Sequence, residues 1–136
     1  MLISEGSNTM DIGRTVLTNE ESKQRLDAAT FGTMGVGFGF AIAAQALYPK
    51  KKMVMVMGDS AFGFSALELE TAARYHMPLK CIIINNSGIQ RGAEEITKED
   101  DAHTIMPSTL LPGAKYELLS IAFGGKGAQV ADHKAL

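Results

Sequence analysis

The chain of 136 residues holds one cysteine, Cys81, so no internal disulfide framework can brace it. Cys81 lies within an apolar run, where a buried thiol is the plain expectation. Charge of one sign is also scarce. Thirteen basic and 15 acidic residues leave a net charge of −2, which offers no electrostatic footprint for nucleic acid. Long hydrophobic runs are missing too. The longest weakly polar stretch, Phe31 to Leu47, is interrupted by Gly32, Gly35, Gly37 and Gly39 and carries Thr33 and Gln45, so it reads as a buried helix and not a membrane span. The opening Met1-Leu2-Ile3-Ser4-Glu5 has no basic n-region and no apolar core, and does not read as a signal peptide. The closing Lys134-Ala135-Leu136 falls short of the Ser-Lys-Leu peroxisomal address. His76, His103 and His133 show no metal-ligand spacing and read as surface or helix-end residues. What is there, 46% hydrophobic and 21% charged residues, suits one soluble globular domain over residues 1–136.

Two apolar runs bounded by turn residues, Met53 to Met57 and Cys81 to Ile84, read as strands buried on both faces. Leu2-Ile3 is a third candidate. Between the two clear strands, Ser65 to His76 reads as a helix that ends before Pro78. Strand, helix and strand over roughly thirty residues make a βαβ unit with parallel strands. Upstream, Thr33 to Leu47 reads as a glycine-interrupted helix. Each glycine there costs stability against alanine, so either another helix or a ligand should approach that backbone closely. Tyr48 to Lys52 is a polar turn whose three lysines read as a solvated loop. Beyond Asn86 the chain is loop-like through Gly92, and the charged run Glu94 to Asp101 reads as an exposed segment. Tyr116 to Phe123 reads as a short helix ending at Gly124-Gly125.

Several signatures fail. Gly35-Val36-Gly37-Phe38-Gly39-Phe40 has Phe40 where a dinucleotide fingerprint needs its third glycine, and no clear strand precedes it. Gly124-Gly125-Lys126-Gly127 lacks the spacing and final hydroxyl of a P-loop. Gly58-Asp59-Ser60-Ala61-Phe62 sits between strand and helix like a nucleophile elbow, but Phe62 replaces the last glycine and no Asp…His pair follows at a suitable separation. Serine hydrolysis through Ser60 remains a remote alternative.

The same segment reads better as a metal and phosphate site. Asp59 follows the first clear strand and Asn85-Asn86 follow the second, and ligands of an open parallel sheet bind beyond those strand ends. An aspartate carboxylate and an asparagine amide oxygen, 27 residues apart, would then be spatial neighbours. Both are hard oxygen ligands that suit Mg²⁺, whose shell substrate phosphates and water complete. Ser60-Ala61-Phe62 leads into a helix start, where free amides favour a phosphate. Gly88 can turn a backbone carbonyl towards the same ion. The competing reading is an ordinary βα turn with a capping aspartate, followed by an Asn-Asn-Ser-Gly turn.

Gly58-Asp59-Ser60 followed by Asn85-Asn86 resembles the cofactor motif of thiamine-diphosphate-dependent enzymes, with Ser60 in place of the usual second glycine. Gly58-Asp59-Ser60-Ala61-Phe62-Gly63-Phe64-Ser65 is similar to the branch that contains 2-hydroxyacyl-CoA lyase and oxalyl-CoA decarboxylase. Glu5 to Arg14, Arg25 to Ala28, Thr30 to Ala44 and Ala122 to Gly127 extend the resemblance over nearly the whole chain. It implies an open, mostly parallel α/β sheet with helices on both faces, the thiamine-diphosphate-binding fold. It implies Mg²⁺ held by the side chains of Asp59 and Asn86 and by the carbonyl of Gly88. Gly58 would be one of the cofactor-binding residues, with Ser60 and Ala61 meeting the diphosphate. Met34 would sit under the thiazolium ring, and the Gly32 carbonyl would accept from the aminopyrimidine.

The implied reaction cleaves the C1–C2 bond of a 2-hydroxyacyl-CoA to formyl-CoA and an aldehyde, and an oxalyl-CoA decarboxylase is the alternative. The implied partners are an acyl-CoA substrate, further copies in a homo-oligomer or a pyrimidine-binding domain, and neither nucleic acid nor membrane. A peroxisomal location follows if the chain behaves as the eukaryotic lyases do. Enzymes of this kind are several-fold longer, and the domain carrying their activating glutamate has no counterpart in this sequence. The chain is therefore expected to be a truncated cofactor-binding domain, inactive alone. A non-catalytic interaction module is the remaining alternative. Gln90 stands where such enzymes usually carry tyrosine.

Overall fold

The computed structural model describes residues 1–92, 102–103, 105–132 and 134. The charged run Glu94 to Asp101, and His133, lie outside the described residues. Four strands form one sheet: β1 (Leu2–Glu5), β2 (Arg25–Leu26), β3 (Val54–Gly58) and β4 (Lys80–Ile84). Their order is β2-β1-β3-β4, and every pairing is parallel. The candidate strand at Leu2-Ile3 is real and central, pairing with both β2 and β3.

Register and alternation sort the side chains. Ile3, Met55 and Cys81 lie abreast, as do Glu5, Met57 and Ile83, and all six share one face. That face packs on Phe38 and Ala41 of α2 (Gly37–Leu47) and on Phe62 of α3 (Asp59–Ser65). Tyr116 and Leu119, at the start of and within α5 (Glu117–Ala122), border the same core. The opposite face is covered over β1 and β3 by α1 (Ser7–Val16), where Gly13 stands against the Ser4 side chain. Helices therefore lie on both faces, as expected. Arg14 and Asp27 form a two-pronged ion pair, 3.0 and 2.8 Å, which ties α1 to the chain beyond β2.

Three expectations need correction, and one helix was not expected. The strand at Cys81 to Ile84 is not buried on both faces. It is the outer strand of the sheet, and Ile82 and Ile84 on one of its faces stay 51% and 50% exposed. The helix expected over Ser65 to His76 is shorter, α4 (Glu68–Arg74), and α3 ends at Ser65 before it. The i→i−3 bonds from Leu69 to Ala66 and from Glu70 to Leu67 tighten the chain between them. α2 starts at Gly37, not Thr33, because Gly32 and Gly35 take φ of +60° and +94°, outside any right-handed helix. Finally, α1 is a helix that the sequence reading did not include, and Met10 and Gly13 are its buried residues.

The Cys81 thiol sits 3.8 Å from the Met57 sulfur, and burial pushes its pKa up to about 12, with the nearby Glu5 carboxyl adding to the shift. A raised thiol pKa stabilises the fold below the unfolded value near 9.0 and loses that contribution as pH climbs towards 12. At neutral pH the folded chain should react with a thiol-disulfide reagent at least about tenfold more slowly than the urea-unfolded chain, because little thiolate is present. Equal rates would contradict the buried, neutral thiol.

Candidate functional site

A parallel sheet brings the carboxyl ends of its strands to one edge, and the loops leaving β1, β3 and β4 meet there. At the end of β3, Asp59 opens α3 and is 1% exposed. One carboxylate oxygen accepts from the Ser60 N–H at 2.8 Å and the other from the Gly88 N–H at 3.1 Å. The second bond crosses from β3 to the loop after β4, so Asp59 and Gly88 are in direct contact. That loop is pinned on its far side by an isolated bridge between Gly88 and Thr109, with Ile89 N–H on the Ser108 carbonyl and Leu110 N–H on the Ser87 carbonyl.

Asn85 and Asn86 divide their work. Asn85 accepts from the Ser87 N–H and donates to the Ala114 carbonyl, so it is committed to shaping the turn. Asn86 donates its Nδ2 to the Gln90 carbonyl at 3.0 Å, a bond that does not use its amide oxygen. The cleft holds about 220 Å³ and is lined by Asn86, Gly58, Asp59, Ser60, Gly88, Gly32 and Met34. Met34 reaches it from the turn before α2, with its sulfur 4.0 Å from the Ser60 hydroxyl. Of the eight residues singled out in the sequence, Ala61 alone is not a lining residue. It is fully buried one step below, and its Cβ is the neighbour of Gly6.

Two glycines keep the cradle tight. A Cβ on Gly6, which already needs φ of +97°, would lie 3.1 Å from the Gly58 nitrogen and 3.3 Å from the Ala61 Cβ. A Cβ on Gly58 would lie 3.2 Å from the Thr9 hydroxyl. The loop after β1 and the end of β3 can approach each other closely because no side chain separates them there.

Sequence reasoning missed the third loop altogether. Gly6, Ser7, Asn8 and Thr9 line the cleft beside Ile89 and Gln90. It also missed Glu5. This carboxyl is fully buried, and its oxygens accept from the backbone N–H groups of Gly35, Val36 and Gly37, the last at 2.9 Å. Burial raises the Glu5 pKa, and the three amides pull it back. Glu5 thereby fastens the turn that carries Gly32 and Met34 to the end of β1. Reading Leu2-Ile3 as a central strand would have placed residues 5–9 at the same edge as Asp59.

The site has neither a triad nor a preformed metal cage. Among the described residues no histidine lines the cleft, and the Ser60 hydroxyl meets the Met34 sulfur, so the hydrolase alternative finds no base there. Among the described residues no cluster of three or more His, Cys, Asp or Glu could hold a metal. One buried carboxylate, an amide oxygen and a backbone carbonyl offer a partial oxygen shell. Each Asp59 oxygen, with one amide already bound, retains a lone pair. That donor set suits Mg²⁺ when phosphate oxygens complete its coordination.

Residues 5–136 match the family described as thiamine pyrophosphate enzyme, C-terminal TPP binding domain. The chain belongs to this family. Its cofactors are thiamine diphosphate and Mg²⁺. The chain is 51% identical to 2-hydroxyacyl-CoA lyase 1 of Homo sapiens, a match that takes in 93% of this chain and 24% of that protein. It is 50% identical to 2-hydroxyacyl-CoA lyase of Arabidopsis thaliana, over 93% and 23% of the two chains. Identity to oxalyl-CoA decarboxylase of Escherichia coli K12 is 41%, over 95% and 22%. The chain thus spans about a quarter of the length of these relatives. Its fold is similar to that of a thiamine diphosphate-dependent 4-hydroxybenzoylformate decarboxylase from Rhodococcus jostii, with a TM-score of 0.77 at 22% identity over 98% of this chain and 25% of that one. No helix among the described residues is long and apolar enough to cross a membrane.

Proposed function

We propose that residues 1–136 are a single domain supplying the thiamine-diphosphate and Mg²⁺ cradle of a carbon–carbon lyase that cleaves 2-hydroxyacyl-CoA to formyl-CoA and an aldehyde. The observation that carries this reading is the bond from Gly88 N–H to Asp59, which joins the two halves of the Gly-Asp-Ser and Asn-Asn motif across one cleft. Asp59, Asn86 and the Gly88 carbonyl would hold the metal. Gly58 and Ser60 would face the diphosphate, with Ala61 contributing backbone from beneath, and Gly32 and Met34 would lie against the organic rings. When bound, the cofactor supplies the capacity to hold negative charge on a carbonyl carbon while the adjacent C–C bond breaks. The chain's own part is to bind, orient and shield.

The lyase is preferred to oxalyl-CoA decarboxylase on the higher identity to the lyases, 51% against 41%. Acyl-CoA substrate, a pyrimidine-binding domain and a homo-oligomer belong to the longer protein that this reading requires. A peroxisomal location and a part in fatty acid α-oxidation belong to it too, and both fall if that protein forms no formyl-CoA from 2-hydroxyacyl-CoA. A non-catalytic module derived from such an enzyme would share the cradle and differ in turnover.

Calorimetric titration of the chain with thiamine diphosphate should give binding in Mg²⁺ that chelator abolishes. Supplied with 2-hydroxyacyl-CoA and no other protein, the chain should form no formyl-CoA, since no glutamate lines the cleft among the described residues. Metal-independent binding would contradict the cradle, and turnover by the chain alone would contradict its dependence on a partner domain.

A further inference from the structure

The donors that suit Mg²⁺ in the cleft are all oxygens, yet one wall carries a thioether sulfur, which such an ion does not take as a ligand. Met34 stands half-buried in the turn before α2 and lines the cleft of about 220 Å³. Its setting differs from that of the other seven of the chain's eight methionines. Met53, Met55 and Met57 are 0% exposed and Met10 is 5% exposed. Met1, Met77 and Met106 are accessible, but none of them lines the cleft.

The Met34 sulfur is held in place. The Ser60 hydroxyl donates to it at 4.0 Å, a weak bond that leaves a lone pair on the sulfur unused. The turn that carries Met34 is fixed as well. The Gly35 and Val36 amides are bonded to Glu5, and a Cβ on Gly35 would lie 3.2 Å from the Phe64 Cβ. A cleft of this volume is far larger than one water needs, so a peroxide can reach the sulfur.

We propose that Met34 is an oxidation site through which peroxide switches the cleft to a non-binding form. Hydrogen peroxide gives one oxygen atom to the thioether: its O–O bond breaks, an S–O bond forms, the sulfur loses two electrons and the peroxide leaves as water. An apolar, polarisable side chain becomes a polar one. With Met34 against the organic rings of the cofactor, the new oxygen is covered by an apolar surface. The neighbouring Ser60 hydroxyl is drawn to that oxygen and away from the diphosphate. Both changes oppose binding. The loss of binding rests on the cradle reading above, whereas the oxidation stands on exposure and contact alone.

Brief treatment of the folded chain with hydrogen peroxide, then proteolysis and mass spectrometry, should show Met34 oxidised at least about fivefold faster than Met53, Met55 and Met57. Saturating thiamine diphosphate and Mg²⁺ should slow Met34 at least about fivefold and leave Met106, 66% exposed, unchanged. The treated chain should need about tenfold more thiamine diphosphate for half-saturation. Methionine sulfoxide reductases A and B, with dithiothreitol as reductant, should restore its affinity. Met34→Leu, a swap of similar volume, should lose no affinity on treatment relative to its own untreated form.

Met34 reacting no faster than the three strand methionines would overturn the proposal. So would parent-like binding by a chain carrying the Met34 sulfoxide, an equal loss in Met34→Leu, or a loss that persists once Met34 is reduced again. Binding that leaves Met34 unprotected would overturn it too, since the sulfur would then lie away from the ligand. If the untreated chain binds no thiamine diphosphate, the cradle reading fails for the isolated chain. The peptide map then decides the oxidation site by itself: a fast Met34 supports it, and a slow one overturns it.

Discussion

Replacing Asp59 with alanine is expected to weaken Mg²⁺-dependent thiamine diphosphate binding by at least about a hundredfold, or roughly 2.7 kcal/mol. Among the described residues lining the cleft Asp59 is the one carboxylate, so its removal takes away the protein's charged ligand to the metal there. The same change should destabilise the chain by about 2–4 kcal/mol, because the Ser60 and Gly88 amides both lose their acceptor in a buried setting. Asp59→Asn separates the two effects. It retains an oxygen acceptor and nearly the same volume, so it should lose most of the binding while melting closer to the parent chain. Calorimetry with Mg²⁺ and a thermal melt of each variant in chelator provide the measurements. Parent-like affinity in Asp59→Asn would remove Asp59 from the metal site.

Phe62→Ala should produce the largest loss of stability, about 3–5 kcal/mol, the range for deleting a buried phenyl ring. Phe62 is 1% exposed and stands at the meeting point of three helices. Its ring centroid lies 5.9 Å from that of Phe38 in α2 and 5.6 Å from that of Tyr116 at the start of α5, the second contact edge-on at 77°. These tilted contacts add to the area term. For a chain of this size the melting midpoint should fall by more than about 10 °C. Phe62 is also three residues beyond Asp59 in α3, so a collapsed core should loosen the metal side as well. Urea titration checks the energy, and a loss below about 1 kcal/mol would mean that the ring is not a core element.

The two predictions show how differently the residues of one motif can be read. Gly58-Asp59-Ser60-Ala61-Phe62 was legible as a strand-to-helix turn with a ligand-bearing aspartate, because an apolar run followed by Gly-Asp announces both. In the hydrolase reading Phe62 was only an obstacle to close approach. In the folded chain it is the anchor that seats α3, and through α3 it seats Asp59. Ala61 met a similar fate. Its sequence position suggested a phosphate contact, yet it is fully buried under Gly6 and does not line the cleft.

The failures also have identifiable causes. Helix boundaries slipped where the backbone left the right-handed region, at Gly32 and Gly35 before α2. They slipped again at the 3₁₀-like bonds between α3 and α4. A left-handed residue closes α4 at His76, where the Met77 and His76 amides bond back to Ala72 and Ala73. Glycine usually marks that position, so His76 gave no boundary signal. Gly124 does mark it for α5, and that end was anticipated. The outer strand β4 carried the same apolar signature as β3, yet one of its faces is open. Four apolar residues in a row say nothing about how many neighbours the strand will have.

By itself the sequence determined the elements whose signals are local: two apolar strands, the helix-forming segments, and a carboxylate and an asparagine at the ends of successive parallel strands. Parallel βαβ connectivity then places Asp59 near Asn86 for any chain that folds this way, since both follow strands that pair directly. The tertiary structure alone decided what depends on contacts between distant segments. It made Leu2–Glu5 a central strand, which brought Glu5 and Asn8 to the cleft. It turned the Gly88 amide onto Asp59, 29 residues away, and the Asn8 amide onto Gln90, 82 residues away. Such bonds leave no periodicity in the sequence, because each is made by a single polar group whose partner is chosen by how the strands are ordered.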